Sequence, residues 1–366
     1  MKNHLLSLLV LFVFCWIAPA ANAADMGPGN KIQKSGGRII GFGTQPLALP
    51  IAMISELMKR DLLLRKYLAG DKQEIRENGF FNGDDMLDPL QKGEIEVAML
   101  GDMPTIAAAS RHDILLVGLL KQSFSSVVAR KFMQISDLKG KRIAFVSGST
   151  AHYTLLEGLA SVGLTEKDVS LVEMKITEMP DALEKGTIDA FSAWEPAPTL
   201  SLSRNFRNAA VYRGFNATYL IINRHFAAQR PEDARQLVAS CVRAINWLRQ
   251  PGRKNVEIAA KWSLESMKSF SAKTSPLTVD QVVAITRREL LEMESLPLIP
   301  KTELTGYSPL SREFEFLKKI GKLPANAQWE NVRDSISRDL MNEVLSHSVL
   351  YKLHEFDYAA YKVAEK

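Results

Sequence analysis

The chain has 366 residues, 46% of them apolar and 24% charged, with a formal charge of +5 and a pI near 9.0. That composition excludes a disordered, collagen-like or disulfide-framework chain, and the length calls for two folded units or one large barrel. The basic residues are scattered. Their small groups, Lys139 to Arg142 and Arg249 to Lys254, sit beside Gly or Pro as in turns, so the chain has no nucleic-acid arm, and its mildly positive surface suits small anions.

Met1 to Ala23 reads as an export signal. Lys2 precedes an apolar stretch from Leu5 to Ala18 broken only by Ser7, and Pro19 leads into a small-residue site at Ala21-Asn22-Ala23. A bilayer span needs about 20 apolar residues, so this run predicts a cleaved leader and no stable membrane anchor. Cys15 lies between Phe14 and Trp16 and leaves with the leader. Cys241 then stands alone on the stripe Ala234, Leu237, Val238, Cys241, Ile245, Leu248, which predicts a buried, inert thiol.

From Arg38 onward, short apolar strands alternate with helical segments, the pattern of an α/β architecture with largely parallel sheets. Arg38 to Gly43 is a strand feeding a helix near Leu47 to Lys59. Val97 to Leu100 is a buried strand that runs through Gly101-Asp102-Met103-Pro104 into a helix over Thr105 to Arg111, with Pro104 at its first position. Lys141 to Val146 is a strand followed by Ser147-Gly148-Ser149-Thr150 and a helix to about Val162. Thr187 to Ser192 leads into Trp194-Glu195-Pro196. Two extended stretches, Ser125 to Lys131 and Tyr219 to Arg224, bracket a block with its own strands and helices and look like crossings between two lobes. The predicted organisation is a first lobe over 36–126 and 223–346, a second over 127–222, and a tail over 347–366. After Arg224 the chain turns helical: Glu232 to Leu248, Val256 to Ser263, Asp280 to Met293, Ser311 to Lys319 and Trp329 to Leu345 carry periodic apolar residues. The tail is either a helix packed on the body or a frayed end.

The segment Ser147-Gly148-Ser149-Thr150-Ala151-His152-Tyr153 carries the most chemistry. The first N–H groups of a helix lack intrahelical partners and sit at the positive end of its dipole, so a turn of Gly, Ser and Thr can offer several donors to one anion. Ser149 or Thr150 can equally serve as a helix cap. Such a site requires no buried Arg or Lys. Asp102 can cap a helix or touch a ligand, and its strand end is where open α/β sheets bind ligands. Trp194 can be an apolar wall with one donor, or core. Gly43-Thr44-Gln45-Pro46 is another polar turn of this kind. Taken together, four polar or aromatic turns at strand ends describe a cleft. Ser/His hydrolysis through Ser149 and His152 is the rival: Gly-x-Ser-x-Gly is incomplete here, and no acid is obviously placed to orient His152. The histidines at 112, 152, 225, 347 and 354 show no metal-ligand spacing, and no phosphate or dinucleotide fingerprint is complete, so no metal and no cofactor is expected.

These residues resemble the solute-binding proteins of ABC importers for alkanesulfonates, taurine and nitrate, with sulfonate binders most similar. The likeness is carried by Asp137-Leu138-Lys139-Gly140-Lys141-Arg142-Ile143-Ala144 followed by Gly148 to Tyr153. It is supported by Gly93-Glu94-Ile95-Glu96 with Gly101 to Pro104, by Gly186 to Ala190 with Trp194-Glu195-Pro196, by Phe226-Ala227 before Pro231-Glu232, and by Leu317 to Pro324. The resemblance implies a type II periplasmic-binding-protein fold, two α/β lobes joined by two crossover segments with the ligand between them. It implies a monomer in the periplasm that captures a small organic anion and delivers it to a membrane permease without chemistry, with nitrate or a thiamine-precursor pyrimidine as the alternatives. By the same resemblance Gly148, Ser149, Thr150, Ala151 and His152 would hold the oxyanion, while Thr44, Gln45, Gly101, Asp102, Met103, Trp194 and Thr218 would line the other walls. Taurine binders are expected to carry an Asp near Asn216-Ala217-Thr218, where this chain has none.

Overall fold

The computed structural model describes residues 39–111, 113–272, 276–292 and 297–359; the expected leader, Cys15, His112 and Met293 lie outside them. Eight strands build one sheet: β1 (Ile39–Thr44), β2 (Glu74–Gly79), β3 (Val97–Gly101), β4 (Ile114–Ala129), β5 (Arg142–Phe145), β6 (Ser170–Glu173), β7 (Ala190–Ala193) and β8 (Ala209–Asn223). Their order is β2-β1-β3-β8-β4-β7-β5-β6. β1 runs parallel to β2 and β3, and β5 parallel to β6 and β7, as strands joined through helices must.

The long strands β4 and β8 run antiparallel along their whole length and tie the two lobes together. β3 meets β8 only at Thr218 to Ile222, and β7 meets β4 only at Ser126 to Ala129. Between those contacts, Gln122 to Phe124 pair with Phe215 to Ala217 and with no third strand, so these are the crossover segments. The extended stretches expected as crossings, Ser125 to Lys131 and Tyr219 to Arg224, are largely strand within one lobe or the other. In extended chain the period-2 pattern is the same on either side of a crossing, so sequence alone does not place it.

The first lobe is built on one large apolar core that includes Phe42, Leu100, Ile221, Leu237, Ile245 and Phe314. The second lobe buries two faces. Ala144, Val128 and Phe191 face one cluster with Ile176 and Leu183, and their chain neighbours Ile143, Val127 and Ala190 face another with Leu155 and Leu159, as strand alternation requires. Two strands escape a reading of apolar runs, β2 and β6. Both stand at sheet edges, where charged residues such as Glu74, Arg76 and Glu77 are tolerated and discourage pairing with other chains.

Helices follow the apolar periodicity, with informative departures. The first begins at Ile51, because Leu47 to Pro50 form turns and the Leu49 N–H is held by the Glu195 carbonyl at 3.2 Å. The helix after β3 starts at Asp102, with Gly101 at the N-cap. The expected helix from Asp280 runs over Val279–Thr286 and passes into a π-helical turn, Arg287–Leu291, a distortion common at functional sites. The expected helix Trp329 to Leu345 is two, Trp329–Arg333 and Arg338–Ser346. Between them the chain pairs with β4: the Leu116 N–H donates to Ser335 O at 2.7 Å, and the Ser337 N–H to Leu116 O at 2.9 Å. The tail through Ala359 packs in turns on the first lobe, with Tyr351 and Leu353 buried. No helix among the described residues is long and apolar enough to cross a membrane.

Candidate functional site

A cavity of about 40 Å³ lies where the lobes meet. Its floor is a row across three neighbouring strands: Gly101 of β3 pairs with Thr218 of β8, and Thr218 pairs with Lys121 of β4. Directly paired residues point to one face, so this register aims all three at the same space. A bulge between Leu119 and Lys121 shifts the β4 register and turns the Lys121 side chain to that face.

One wall is the start of the helix Thr150–Ser161, with Ser149 as its N-cap. The Ser149 hydroxyl donates to Val146 O at 2.7 Å and accepts from the His152 N–H at 3.2 Å. The N–H groups of Thr150 and Ala151 precede any intrahelical partner and have no acceptor among the described residues. Close approach fixes this corner to β3. A Cβ on Gly101 would stand 2.1 Å from Thr150 Oγ1, so only glycine fits there. Gly148, at φ +66°, occupies left-handed backbone, and a side chain there would collide with Asp84 from the other lobe.

The remaining walls are Gln45, Ala48 and Leu49 from the turn after β1, Trp194 after β7, and Asn216 on β8. Trp194 is only 8% exposed and its indole Nε1 has no partner among the described residues. The lobes touch around the cavity through the Leu49–Glu195 backbone bond, an Arg288–Glu195 ion pair at 2.8 Å and a Lys322–Glu166 ion pair at 3.0 Å.

Of the residues singled out from sequence, Gln45, Gly101, Ser149, Thr150, Trp194 and Thr218 come together on this cavity. Asp102 stands behind it and is no N-cap: its carboxylate accepts from the N–H groups of Met103 and Ala217, each at 2.9 Å, and from the Thr150 hydroxyl. It positions Thr150 and does not face the cavity. Ala151 is buried, its carbonyl accepting from Ser192 Oγ at 2.7 Å. Thr44 is fully buried and donates to Glu77 at 2.7 Å, away from the cavity. Met103, Gly148 and His152 line a different cavity of about 150 Å³, together with Asp84 and Lys322.

His152 does not meet the Ser149 hydroxyl through its ring. Its Nε2 lies 3.1 Å from Glu166 and its Nδ1 accepts from the Gly148 N–H at 3.3 Å, so the acid absent from the sequence reading is present but the Ser/His pair is not. Burial holds the imidazole below its usual pKa, partly offset by Glu166, so the neutral ring is favoured.

Sequence reasoning missed Lys121, because the expected site required no buried Arg or Lys. Lys121 is 3% exposed, lines the cavity, and pairs with Glu289 of the π-helical turn at 3.0 Å. The signal was a lysine directly after the apolar run Ile114 to Leu120, but its pairing needs the bulge and a helix from far along the chain. Cys241 is fully buried, and burial pushes its thiol up to about 12, as an inert thiol requires.

Burial raises the Asp102 carboxyl to about 6, against the three hydrogen bonds that favour its charge, and it raises Glu313, Glu303, Glu195 and Asp84 in the same direction. A raised carboxyl binds its proton more tightly folded than unfolded, so stability falls as pH climbs from about 4 to about 6. For Asp102 alone, the full cost at pH 7 is about 3 kcal/mol. Asp189 is lowered to about 2, so its linkage acts below that window, and His152 opposes the trend modestly. The melting temperature is therefore expected to be higher at pH 5 than at pH 7.5 in scanning calorimetry. A monotonic fall on acidification would contradict this account of the buried carboxyls.

The family model "NMT1/THI5 like" matches residues 82–253 of the chain. A taurine-binding periplasmic protein of Escherichia coli K12 is 26% identical over 261 residues, 68% of this chain and 78% of that protein. A putative aliphatic sulfonates-binding protein of the same organism is 31% identical over 120 residues, 31% of this chain and 38% of that one. Among solved structures, the periplasmic aliphatic sulphonate binding protein SsuA from Escherichia coli superposes with a TM-score of 0.62 at 18% identity, over 82% of this chain and 92% of that one. At that identity the structural likeness is one of fold. The segment matched by that family model holds Gly101, Lys121, Ser149, Thr150, Trp194 and Thr218, and the two-lobed sheet that carries them has the fold of periplasmic binding proteins.

Proposed function

We propose that the chain is the periplasmic receptor of an ABC importer, capturing an alkyl or aryl sulfonate and passing it unchanged to a membrane permease. One observation carries the reading. The Trp194 indole N–H is buried without a partner on a cavity whose wall also offers the unpartnered N–H of Thr150. A buried donor left unpaired costs about 1–3 kcal/mol, so converging orphan donors favour a guest made of acceptors. A sulfonate supplies three acceptor oxygens, no donor, and a charge that persists at every physiological pH. The names of the related taurine- and sulfonate-binding proteins support the same chemistry.

The expected division, a first lobe over 36–126 and 223–346, a second over 127–222 and a tail over 347–366, is supported in outline by the separate apolar cores, with 218–222 moved to the first lobe because Leu220, Ile221 and Ile222 are buried in its core. Rotation about Gln122 to Phe124 and Phe215 to Ala217 would open the cavity, and a ligand bound by both lobes would shift the population toward the closed form. The export leader, the periplasmic location and a monomeric state belong to this proposal. Hydrolysis by Ser149 and His152 is disfavoured because the Ser149 hydroxyl is committed to Val146 O.

The test is a thermal-shift panel of sulfonates, sulfate esters, nitrate and pyrimidines, with product analysis of the ligand. Sulfonates are expected to raise the melting temperature and to be recovered intact. Trp194→Phe, which keeps the ring and removes the donor, is expected to weaken sulfonate binding about tenfold in calorimetry. Stabilisation by nitrate or pyrimidines alone, or affinity unchanged in Trp194→Phe, would overturn the assignment.

A further inference from the structure

Resting on the sulfonate reading, we propose that Lys121 sets the ligand class: the site takes anions that carry no ammonium group and rejects zwitterionic amino sulfonates. The argument begins with Glu289. Its carboxylate, itself buried, accepts from Lys121 Nζ at 3.0 Å, Ser123 Oγ at 3.0 Å and Arg288 Nη2 at 3.1 Å, so its lone pairs are already used inside the protein. The cation faces the guest and the anion does not. Among the described residues that line the cavity, Lys121 is charged and none is Asp or Glu.

Two carboxylates behind the cavity walls are committed to other partners. Asp102 is engaged by Met103, Ala217 and Thr150, and Glu195 by Arg288 and the Thr199 N–H at 3.2 Å. A ligand ammonium entering beside Thr218 would therefore meet the Lys121 charge at close range in a desolvated space and find no carboxylate among the described residues that line the cavity. Asn216 does not compensate: it spends its Nδ2 on Ser125 Oγ at 2.8 Å and sits by Ser123 Oγ through its Oδ1. The sulfonate itself gains from the same cation, which adds a third donor to Thr150 and Trp194. Lys121 thus acts twice, attracting the head group and excluding the amine.

The experiment is calorimetry on the full chain with taurine and 2-hydroxyethanesulfonate, which differ only in exchanging an ammonium for a hydroxyl of similar size. The hydroxyl compound is expected to bind at least about 100-fold more tightly than taurine. Equal affinity for the two overturns the selectivity and leaves the sulfonate reading standing, whereas failure of every sulfonate to bind overturns that reading and this proposal with it. The double variant Lys121→Gln/Glu289→Gln removes both charges and keeps hydrogen-bonding groups. In it the preference is expected to drop below about tenfold. A folded double variant that keeps the full preference would overturn the role of Lys121, and the wild-type comparison stands if that variant fails to fold.

Discussion

Thr150→Asp is expected to abolish sulfonate binding, with an affinity loss of at least about 100-fold in calorimetry. Thr150 stands at the first position of its helix, and its hydroxyl donates to the buried Asp102 carboxylate. The substitution replaces that donor with an acceptor, sets two carboxylates side by side, and puts negative charge beside the N–H groups assigned to the guest. Two like charges about 4 Å apart repel by about 4 kcal/mol at an effective dielectric near 20. Proton uptake by Asp102, already raised to about 6, would relieve part of the clash but not restore the donor. Thr150→Val separates the two effects, since it removes the hydroxyl without adding charge and is expected to bind more tightly than Thr150→Asp. A Thr150→Asp protein that melts cooperatively and binds with wild-type affinity would remove this corner from the site.

Asp61→Ala is expected to be the most destabilising single change outside the cavity, costing about 3–5 kcal/mol in urea unfolding. Arg243 and Asp61 are 2% and 1% exposed, and the guanidinium donates to Asp61 Oδ2 from Nε at 2.9 Å and from Nη2 at 2.6 Å. The other Asp61 oxygen caps the helix Leu62–Gly70 through the N–H groups of Leu63 and Leu64, and Arg243 Nη1 donates to Tyr351 O at 2.7 Å. One pair therefore joins a helix start, the middle of Pro231–Leu248 and the C-terminal stretch. Removing Asp61 strands a buried guanidinium; removing both charges in Asp61→Ala/Arg243→Met is expected to recover part of the loss. A loss below about 1 kcal/mol for Asp61→Ala would show that the pair is not what anchors the tail.

The alternation of short apolar strands with periodic helices was enough to read a two-lobed α/β architecture, because each element declares itself through nearby residues. The same holds for the corner proposed to receive the anion: Gly148, Ser149 and Thr150 are a strand-to-helix turn, and the unpartnered Thr150 N–H at its helix start follows from local backbone geometry. Lys121 was hidden for the opposite reason. Its direction depends on one bulge in β4, its neutralisation on Glu289 more than one hundred residues later in the chain, and its place beside the cavity on the pairing of β4 with β8 and β8 with β3. His152 was misplaced by the same limit, since three residues of helix carry its ring out of reach of the Ser149 hydroxyl and toward Glu166. Local chemistry is written in adjacent residues, whereas the identity of a side chain's partners across a cleft is settled only when strand register and lobe packing bring distant segments within a few ångströms.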